Sequence, residues 1–241
     1  MFGQNPIRSI TQDPNKIEVE SHFFTIQGEG PYSGMPALFI RLSGCNLACH
    51  FCDTQFEKNA GVFRDVQEVA DEIILTYPAN QREFVVITGG EPMRQDFSLL
   101  AQLLLTSGTR LIQVETAGTL WQPALAPRLM VGDIVLVCSP KTPQVHVMVA
   151  SYCNHWKYII RESELSQDDG LPMYGTNENT KFKKQLLYRA SKSKPGTVIW
   201  VSPCDEYDAF VNESNTRAAV ESAMKFGYRL SLQVHKLVNV E

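Results

Sequence analysis

The sequence of 241 residues contains no apolar run long enough to span a bilayer, and its opening, MFGQNPIRSITQ, lacks the hydrophobic stretch of a signal peptide. It also lacks an excess of either charge, because 22 Lys and Arg stand against 26 Asp and Glu, for a net charge of −4. We therefore expect a small-molecule substrate, and neither a membrane nor nucleic acid as a partner. With no internal repeat and no sharp change of composition, the sequence favours a single domain.

Cysteine is scarce, with six in the chain, yet three of them lie in CNLACHFC, at Cys45, Cys49 and Cys52. Three thiolates can converge on one metal centre, whereas three is the wrong number for a closed zinc site or for paired disulfides. A [4Fe-4S] cluster normally takes four cysteines, so three would leave one iron open to a substrate or cofactor. On spacing alone, a zinc loop completed by His50 is the alternative. Clustered thiols and the missing signal peptide together predict a reducing cytoplasm.

Short apolar segments alternate with helical ones along most of the chain. The predicted strands are 19–26, 37–42, 84–88, 111–115, 134–138, 156–160, 198–201 and 229–234. Helices are predicted to begin at Asp65, Asp96 and Asn215, the last of them ending at Gly227. This alternation predicts an α/β fold with a parallel sheet built from βα units.

A complete barrel of eight βα units needs about 250 residues. Because only about six units can be counted, we predict a partial, open barrel of the TIM type. Residues 1–18 are polar and are interpreted as a loosely attached extension, which leaves 19–241 as a single catalytic domain.

Polar and glycine residues follow the predicted strands, and the carboxyl ends of parallel strands meet at one edge of a sheet. The segments concerned are 41–45, 88–91, 115–118, 139–141, 202–205 and His235. Gly89 and Gly90 lack side-chain bulk, so we expect their backbone groups to approach a ligand closely, and an amino acid moiety would suit them. The sequence therefore predicts one shared active site.

The CNLACHFCDT loop followed by TGGEP resembles the radical S-adenosylmethionine (SAM) superfamily. In that superfamily three cysteines hold a [4Fe-4S] cluster, the fourth iron binds SAM, and reductive cleavage yields a 5′-deoxyadenosyl radical. FTIQGEGPYSGMPALFIRLSGCN, VETAG, CSPK and RLSLQVHKLVNV further resemble the 7-carboxy-7-deazaguanine synthase family, over nearly the whole chain. That family is a group of carbon-nitrogen lyases that convert 6-carboxy-5,6,7,8-tetrahydropterin into 7-carboxy-7-deazaguanine with loss of ammonia, on the route to queuosine.

The resemblance implies three cofactors, namely a [4Fe-4S] cluster, SAM and Mg²⁺, and a partial barrel of the radical SAM type. It also implies a homodimer and an electron donor such as flavodoxin or ferredoxin. By matching motifs, Cys45, Cys49 and Cys52 would ligate the cluster, and Thr54 would bind Mg²⁺ through its hydroxyl, a hard oxygen donor suited to that ion.

The same matching assigns residues to two binding regions. The substrate contacts would be Ile26, Gln27, Gly28, Arg41, Thr88 and His235. The SAM contacts would be Gly90, Ser139, Pro140, Lys141, Ser202, Pro203, Cys204 and Asp205. Two departures from the family pattern are the Ser-Pro-Cys after the late strand, where Gln-Pro is frequent, and the segment 167–184, which looks like added sequence.

Two other functions fit part of the pattern. A glycyl-radical activating enzyme shares the cysteine spacing and a short barrel, but it would act on a large protein and would need neither QGEG nor QVHK. A non-catalytic iron-sulfur or zinc-binding module would need only the cysteine loop.

Overall fold

The computed structural model describes residues 6–11, 13–49, 52, 54, 56–176 and 185–240. His50, and residues 177–184 of the segment interpreted as added sequence, lie outside the described residues. Within the described part the strands are β1 (Lys16–Ile17), β2 (Val19–Ile26), β3 (Pro36–Leu42), β4 (Arg64–Asp65), β5 (Phe84–Gly89), β6 (Leu111–Thr116), β7 (Ile134–Cys138), β8 (His155–Ile160), β9 (Val198–Pro203) and β10 (Arg229–Leu230). The helices there are α1 (Val66–Thr76), α2 (Ser98–Thr106), α3 (Ala126–Val131), α4 (Val147–Tyr152), α5 (Ala209–Phe226) and α6 (Val234–Leu237).

Eight strands form one sheet in the order β10-β9-β8-β7-β6-β5-β3-β2, while β1 and β4 form a separate antiparallel pair. All neighbours in the large sheet are parallel except β2 and β3. The edge strands β2 and β10 do not pair with each other in the described structure, so the sheet is open. The predicted α/β fold with a mostly parallel sheet is confirmed.

The main core lies between the sheet and the helices that follow its strands. In α1 the buried side chains are Val66, Val69, Ala70 and Ile73, and the Asp65 carboxylate caps this helix by accepting a hydrogen bond from the Gln67 N–H at 2.9 Å. A smaller apolar cluster, Ala37, Phe84 and Val86, lies apart from it and packs against Tyr32, Phe39 and Leu111. No helix of the described residues is sufficiently long and apolar to cross a membrane.

Three predicted boundaries were wrong. Helix α5 begins at Ala209 after the cap Asp208, and Asn215 lies inside it, 2% exposed, with its amide bonded to the carbonyl of Cys204. The Leu-rich helix α2 begins at Ser98 rather than next to Asp96, although the Asp96 carboxylate does accept the Ser98 N–H. The last predicted strand stops at Leu230, so His235 lies in the short helix α6 and not at a strand end.

Two segments connect the open edges of the sheet. The Gly30 N–H, just after β2, donates to Ser231 Oγ at 2.9 Å, and the Val234 N–H donates to the Gly28 carbonyl at 3.1 Å. The turn after β2 therefore packs on the segment that follows β10.

Candidate active site

A cavity of about 620 Å³ opens at the carboxyl ends of the parallel strands. The predicted site residues that line it are Ile26, Gln27, Arg41, Cys45, Cys49, Cys52, Thr54, Thr88, Gly90, Ser139, Lys141, Ser202, Pro203, Cys204, Asp205 and His235. Gly28 and Pro140 do not line the cavity, and Pro140 is buried beside it. The structure thus brings the predicted residues together around one cavity, most of them from the carboxyl ends of parallel strands. Ile26 and Gln27 instead come from the end of β2, which runs antiparallel to β3 and ends beside Pro36 at the start of that strand.

The cysteine loop follows β3 directly. Cys45 is 8% exposed and packs with Leu47 and Phe56, while Cys49 and Cys52 adjoin this small apolar cluster. Burial, with a smaller contribution from the Glu91 carboxylate, raises the pKa of the Cys45 thiol, so a thiolate at this position needs a cationic partner. None of the six cysteines, each within the described residues, forms a disulfide.

The donor set fits an iron-sulfur cluster. Each thiolate of a cubane cluster binds an iron of its own, so the three thiols need only face one cavity. Three thiols around one cavity, partly shielded by apolar neighbours, therefore suit a cluster with one iron open to the cavity.

The glycines of TGGEP allow this turn to pack closely against the start of the cysteine loop. Gly90 also lines the cavity, and its contact with SAM stays a prediction. A side chain at Gly89, where φ is 129°, would overlap the backbone of Leu42, and one at Gly90 would overlap the carbonyl of Gly44. The Gly90 N–H donates to the Leu42 carbonyl at 3.1 Å, and the Glu91 N–H donates to the Gly44 carbonyl at 3.1 Å. These N–H groups bind the start of the cysteine loop, so they are not donors that face a ligand.

Glu91, which has no predicted role, is 1% exposed. Its carboxylate accepts hydrogen bonds from Thr116 Oγ1 at 2.7 Å, the Ala117 N–H at 2.8 Å and the Met93 N–H at 3.1 Å. Burial raises the pKa of Glu91 and these donors oppose the rise. Glu91 therefore joins the ends of β5 and β6 behind the cysteine loop.

Glu115 connects two of the predicted substrate residues. Its carboxylate accepts hydrogen bonds from Gln27 Nε2 at 3.0 Å, Thr88 Oγ1 at 3.2 Å and Gln113 Nε2 at 2.9 Å. Glu115, Gln27 and Thr88 all line the cavity. They form a polar wall on the side of β2, β5 and β6.

Arg41 lies on the same side, with its guanidinium carbon 5.4 Å from the centre of the Phe23 ring. Phe23 in turn stacks on Phe39, with ring centres 5.6 Å apart and planes inclined by 11°. Arg41 Nε is buried without a hydrogen-bond partner in the described structure. A cation with unused donor capacity beside two aromatic faces suits a flat, negatively charged ligand.

Gly28 supports His235 and does not face the cavity. A side chain at Gly28 would overlap the imidazole ring of His235, which itself lines the cavity. The hydrogen bond from the Val234 N–H to the Gly28 carbonyl fixes the start of α6 at the same point. Gly28 therefore positions another predicted residue, and its own contact with substrate stays a prediction.

Two partly buried lysines line the cavity. Lys157 on β8 pairs with Glu29, and the side chains are 11% and 12% exposed. Burial alone would raise the pKa of Glu29, but the charge and hydrogen bond of Lys157, with Gln233, lower it below its usual value. Burial lowers the pKa of Lys141, whose ammonium donates to Ser139 Oγ at 2.6 Å.

The residues predicted to contact SAM lie after β7 and β9. Ser202 is 1% exposed, and Asp205, at the cavity wall, accepts hydrogen bonds from Asn212 Nδ2 at 2.8 Å and Lys236 Nζ at 2.6 Å. The hydrogen bond from Lys236 lowers the pKa of Asp205. Lys236 also lines the cavity, so this ion pair connects the segment after β9 to α6.

Comparison with known proteins agrees with this geometry. Residues 39–161 match the family model of the radical SAM superfamily, so the fold and the cysteine-lined cavity define a radical SAM enzyme. The chain is 36% identical over 250 residues to the 7-carboxy-7-deazaguanine synthase of Rhodospirillum rubrum, covering all of both chains. It is 38% identical over 244 residues to the enzyme of that name from Rickettsia prowazekii, covering 100% of this chain and 96% of the relative. This chain belongs to the 7-carboxy-7-deazaguanine synthase family.

A solved structure supports the same assignment. The crystal structure of QueE from Escherichia coli aligns with a TM-score of 0.62 and 25% sequence identity, covering 90% of this chain and 94% of that one. The family resemblance inferred from the motifs is confirmed, and with it the [4Fe-4S] cluster and SAM as cofactors of the family. The match over full length favours neither a glycyl-radical activating enzyme nor a binding module.

Proposed function

We propose that this chain is a 7-carboxy-7-deazaguanine synthase, a carbon-nitrogen lyase that converts 6-carboxy-5,6,7,8-tetrahydropterin into 7-carboxy-7-deazaguanine with loss of ammonia. The observation that carries the proposal is a full-length relationship to proteins of that name, combined with one cavity that holds both the cysteines and the polar wall around Glu115. Residues 19–241 act as a single catalytic domain in this proposal.

The cysteine side of the cavity holds the cofactors. Cys45, Cys49 and Cys52 ligate the cluster, and the residues after β7 and β9, with Gly90, hold SAM. When bound, the cluster and SAM supply the abstraction of a hydrogen atom from the substrate. The protein positions the reactants and keeps water from the site, while the hard chemistry belongs to the cofactors.

The opposite side binds the substrate. Arg41 holds the substrate carboxylate with its guanidinium, whose Nε–H has no partner among the described residues, and Glu115 accepts hydrogen bonds from ring N–H groups. The faces of Phe23 and Phe39 offer apolar contact to a flat ring system. Ile26, Gln27, Thr88 and His235 complete this side.

Thr54 supplies a hydroxyl ligand to Mg²⁺ in this proposal, because it lines the same cavity as the cysteines. Magnesium keeps few protein ligands and takes others from substrate and water, so a single hydroxyl is sufficient from the protein. Bound at Thr54, Mg²⁺ would supply a second positive charge to the cavity in addition to that of Arg41.

The family also supports proposals about partners. We infer a homodimer in the cytoplasm that receives electrons from a flavodoxin or ferredoxin. Sedimentation of the purified protein tests the dimer, and reduction by each donor in turn tests the electron source. A monomer, or a cluster that neither donor reduces, would refute the corresponding inference.

The test of the main proposal is anaerobic reconstitution with iron and sulfide, followed by incubation with SAM, Mg²⁺, a reductant and the carboxypterin. We expect 7-carboxy-7-deazaguanine and ammonia in equal amounts, identified by mass spectrometry and an ammonia assay. Cys49→Ala should lose both cluster and turnover, whereas Thr54→Ala should keep the cluster and lose its response to Mg²⁺. Reductive cleavage of SAM without this product would exclude the proposed substrate.

A further inference from the structure

A buried ion pair holds the two ends of the cysteine loop. The guanidinium of Arg94, in the turn after TGGEP, pairs with the carboxylate of Glu18, and the side chains are 3% and 4% exposed. Arg94 Nη2 also donates to the carbonyl of Ser43 at 2.9 Å, two residues before the first cysteine. The second oxygen of Glu18 accepts the N–H of Gly61, where the loop ends. One ion pair thus binds both the entry and the exit of the loop.

The neighbour Gln95 strengthens this attachment. Its side-chain amide donates to the carbonyls of Ser43 and Glu18, each at 3.1 Å, and its oxygen accepts the Glu18 N–H at 2.7 Å. The Ser43 N–H in turn donates to the Glu18 carbonyl at 3.0 Å. Glu18 is therefore fixed by its backbone as well as by its carboxylate.

Arg94 also touches the loop next to a cysteine. A Cβ atom at Gly44 would lie 2.9 Å from Cζ, Nε and Nη2 of Arg94, so the guanidinium packs against the backbone that leads to Cys45. On its far side, Arg94 Nη1 donates to the carbonyl of Ser9 at 2.8 Å, and the Arg8 N–H donates to the Cys45 carbonyl at 2.7 Å. The segment 7–11 is thereby held across the loop.

We propose that Arg94 and Glu18 are positioning residues that set the geometry of the cluster-binding loop and so determine how firmly the cluster is held. The described residues between β3 and β4 include no helix or strand, so the loop has little internal structure to fix its thiolates. With three protein ligands instead of four, the cluster depends strongly on the position of each. Partners beyond the ligands themselves commonly control metal retention in this way. The inference rests on membership of the radical SAM superfamily and not on the identity of the substrate.

The test compares Arg94→Gln with Arg82→Gln in the full-length protein. Arg82 is a matched control, because it is 5% exposed and donates to the carbonyls of Tyr77 and Ser107, before β5 and after α2, far along the chain from the cysteine loop. Both variants lose a buried guanidinium, so both should unfold at a lower temperature than the original protein. Only Arg94→Gln should affect the cluster.

The measurements are iron and sulfide per chain after anaerobic reconstitution, the rate at which a chelator removes iron, and the electron paramagnetic resonance spectrum of the reduced cluster with and without SAM. We expect Arg94→Gln to lose iron about ten times faster than the original protein or more. We also expect a changed spectrum, whereas Arg82→Gln should keep both properties. Equal rates and spectra in the two variants would overturn the proposal.

Glu18→Gln provides a second variant of milder effect, because Gln keeps the shape and one acceptor oxygen of Glu18. It removes the charge that Arg94 requires while leaving the backbone contacts of residue 18 intact. We expect iron loss at a rate between those of the original protein and Arg94→Gln. A Glu18→Gln variant that retains its cluster like Arg82→Gln would count equally against the proposal.

Discussion

The side chains around the cavity differ in how much of their hydrogen-bonding capacity the protein itself uses. Glu91 has three protein donors and is 1% exposed, so it has a structural role at the back of the site. Arg41 Nε, in contrast, is buried with no partner among the described residues although it lines the cavity. A buried donor without a partner is costly unless a ligand satisfies it. Arg41, unlike Glu91, therefore has a donor left for a ligand, which favours a role in binding substrate.

Arg41→Met should raise the KM for the carboxypterin by about ten- to one-hundredfold, because hydrogen bonds to charged groups contribute about 1.5–3 kcal/mol. Met keeps much of the length of the side chain but offers neither charge nor donors. Steady-state kinetics under anaerobic conditions measure the effect. Iron content and SAM cleavage without substrate serve as controls and should not change. An unchanged KM would remove Arg41 from the substrate site.

The turn after β2 and the short helix α6 pack against each other. Gly28 leaves the space that the His235 ring occupies, and the backbone of Val234 bonds to Gly28. The sequence motifs assign each of them a contact with substrate, and these contacts stay predictions. The structure shows that Gly28 packs against His235.

Gly28→Ala should lower the stability of the protein by about 1–3 kcal/mol, because its methyl group would overlap the imidazole, so that the ring or α6 would have to move. Turnover should fall with it, while iron content remains normal. Urea unfolding and product formation measure the two effects. The double variant Gly28→Ala/His235→Ala removes the overlap and should recover stability but not turnover. A double variant no more stable than Gly28→Ala would contradict this packing.

The strands could be predicted because parallel strands in an α/β fold are continuous apolar runs, as in ALFIRL and FVVIT. The start of α5 could not, because its first turns expose Phe210 to 86% and so hide the helical period. The prediction of the final strand was wrong, because polar and apolar residues alternate in RLSLQV as in a strand although only Arg229 and Leu230 pair with β9. The site residues were predicted from motifs, and the position of those that follow parallel strands could be predicted from topology. The positions of Gln27, after the antiparallel strand β2, and of His235, in α6, could not.

Contacts between distant parts of the chain gave no signal in the sequence. Glu29 and Lys157 are 128 positions apart, and Glu18 and Arg94 are 76 apart, so neither spacing nor periodicity relates them. Residues 16–18, within the segment interpreted as an extension, include Ile17, which is fully buried. Because the residues around Ile17 are mostly polar, the composition of this segment does not indicate that Ile17 anchors it in the core.

The Glu29 and Lys157 pair makes stability depend on pH. Because Lys157 lowers the pKa of Glu29 in the folded chain, the pair contributes stability above the unfolded pKa of about 4.3. That contribution is lost as the pH falls through the lower folded value. The double variant Glu29→Gln/Lys157→Met should therefore lose less stability between pH 7 and pH 3 than the original protein.

Urea unfolding of the metal-free protein at each pH measures this difference. The exposed pair Arg217 and Glu213, with side chains 67% and 72% exposed, provides a control when both are changed to Gln. Removing this pair should leave the pH dependence of the free energy of unfolding unaltered, because exposed ion pairs contribute little to stability. If the free energy of unfolding changed with pH by the same amount in the original protein and in the Glu29→Gln/Lys157→Met variant, the pair would not titrate as described.

The bond between Gly30 and Ser231 spans 201 positions of the chain. Closing so large a loop carries a high entropic cost, and contacts of this kind form late when a chain folds. We therefore expect the strands of the sheet to pair one after another before the turn after β2 meets the segment that follows β10. The cavity would then be the last region to form during refolding and the first to open on heating.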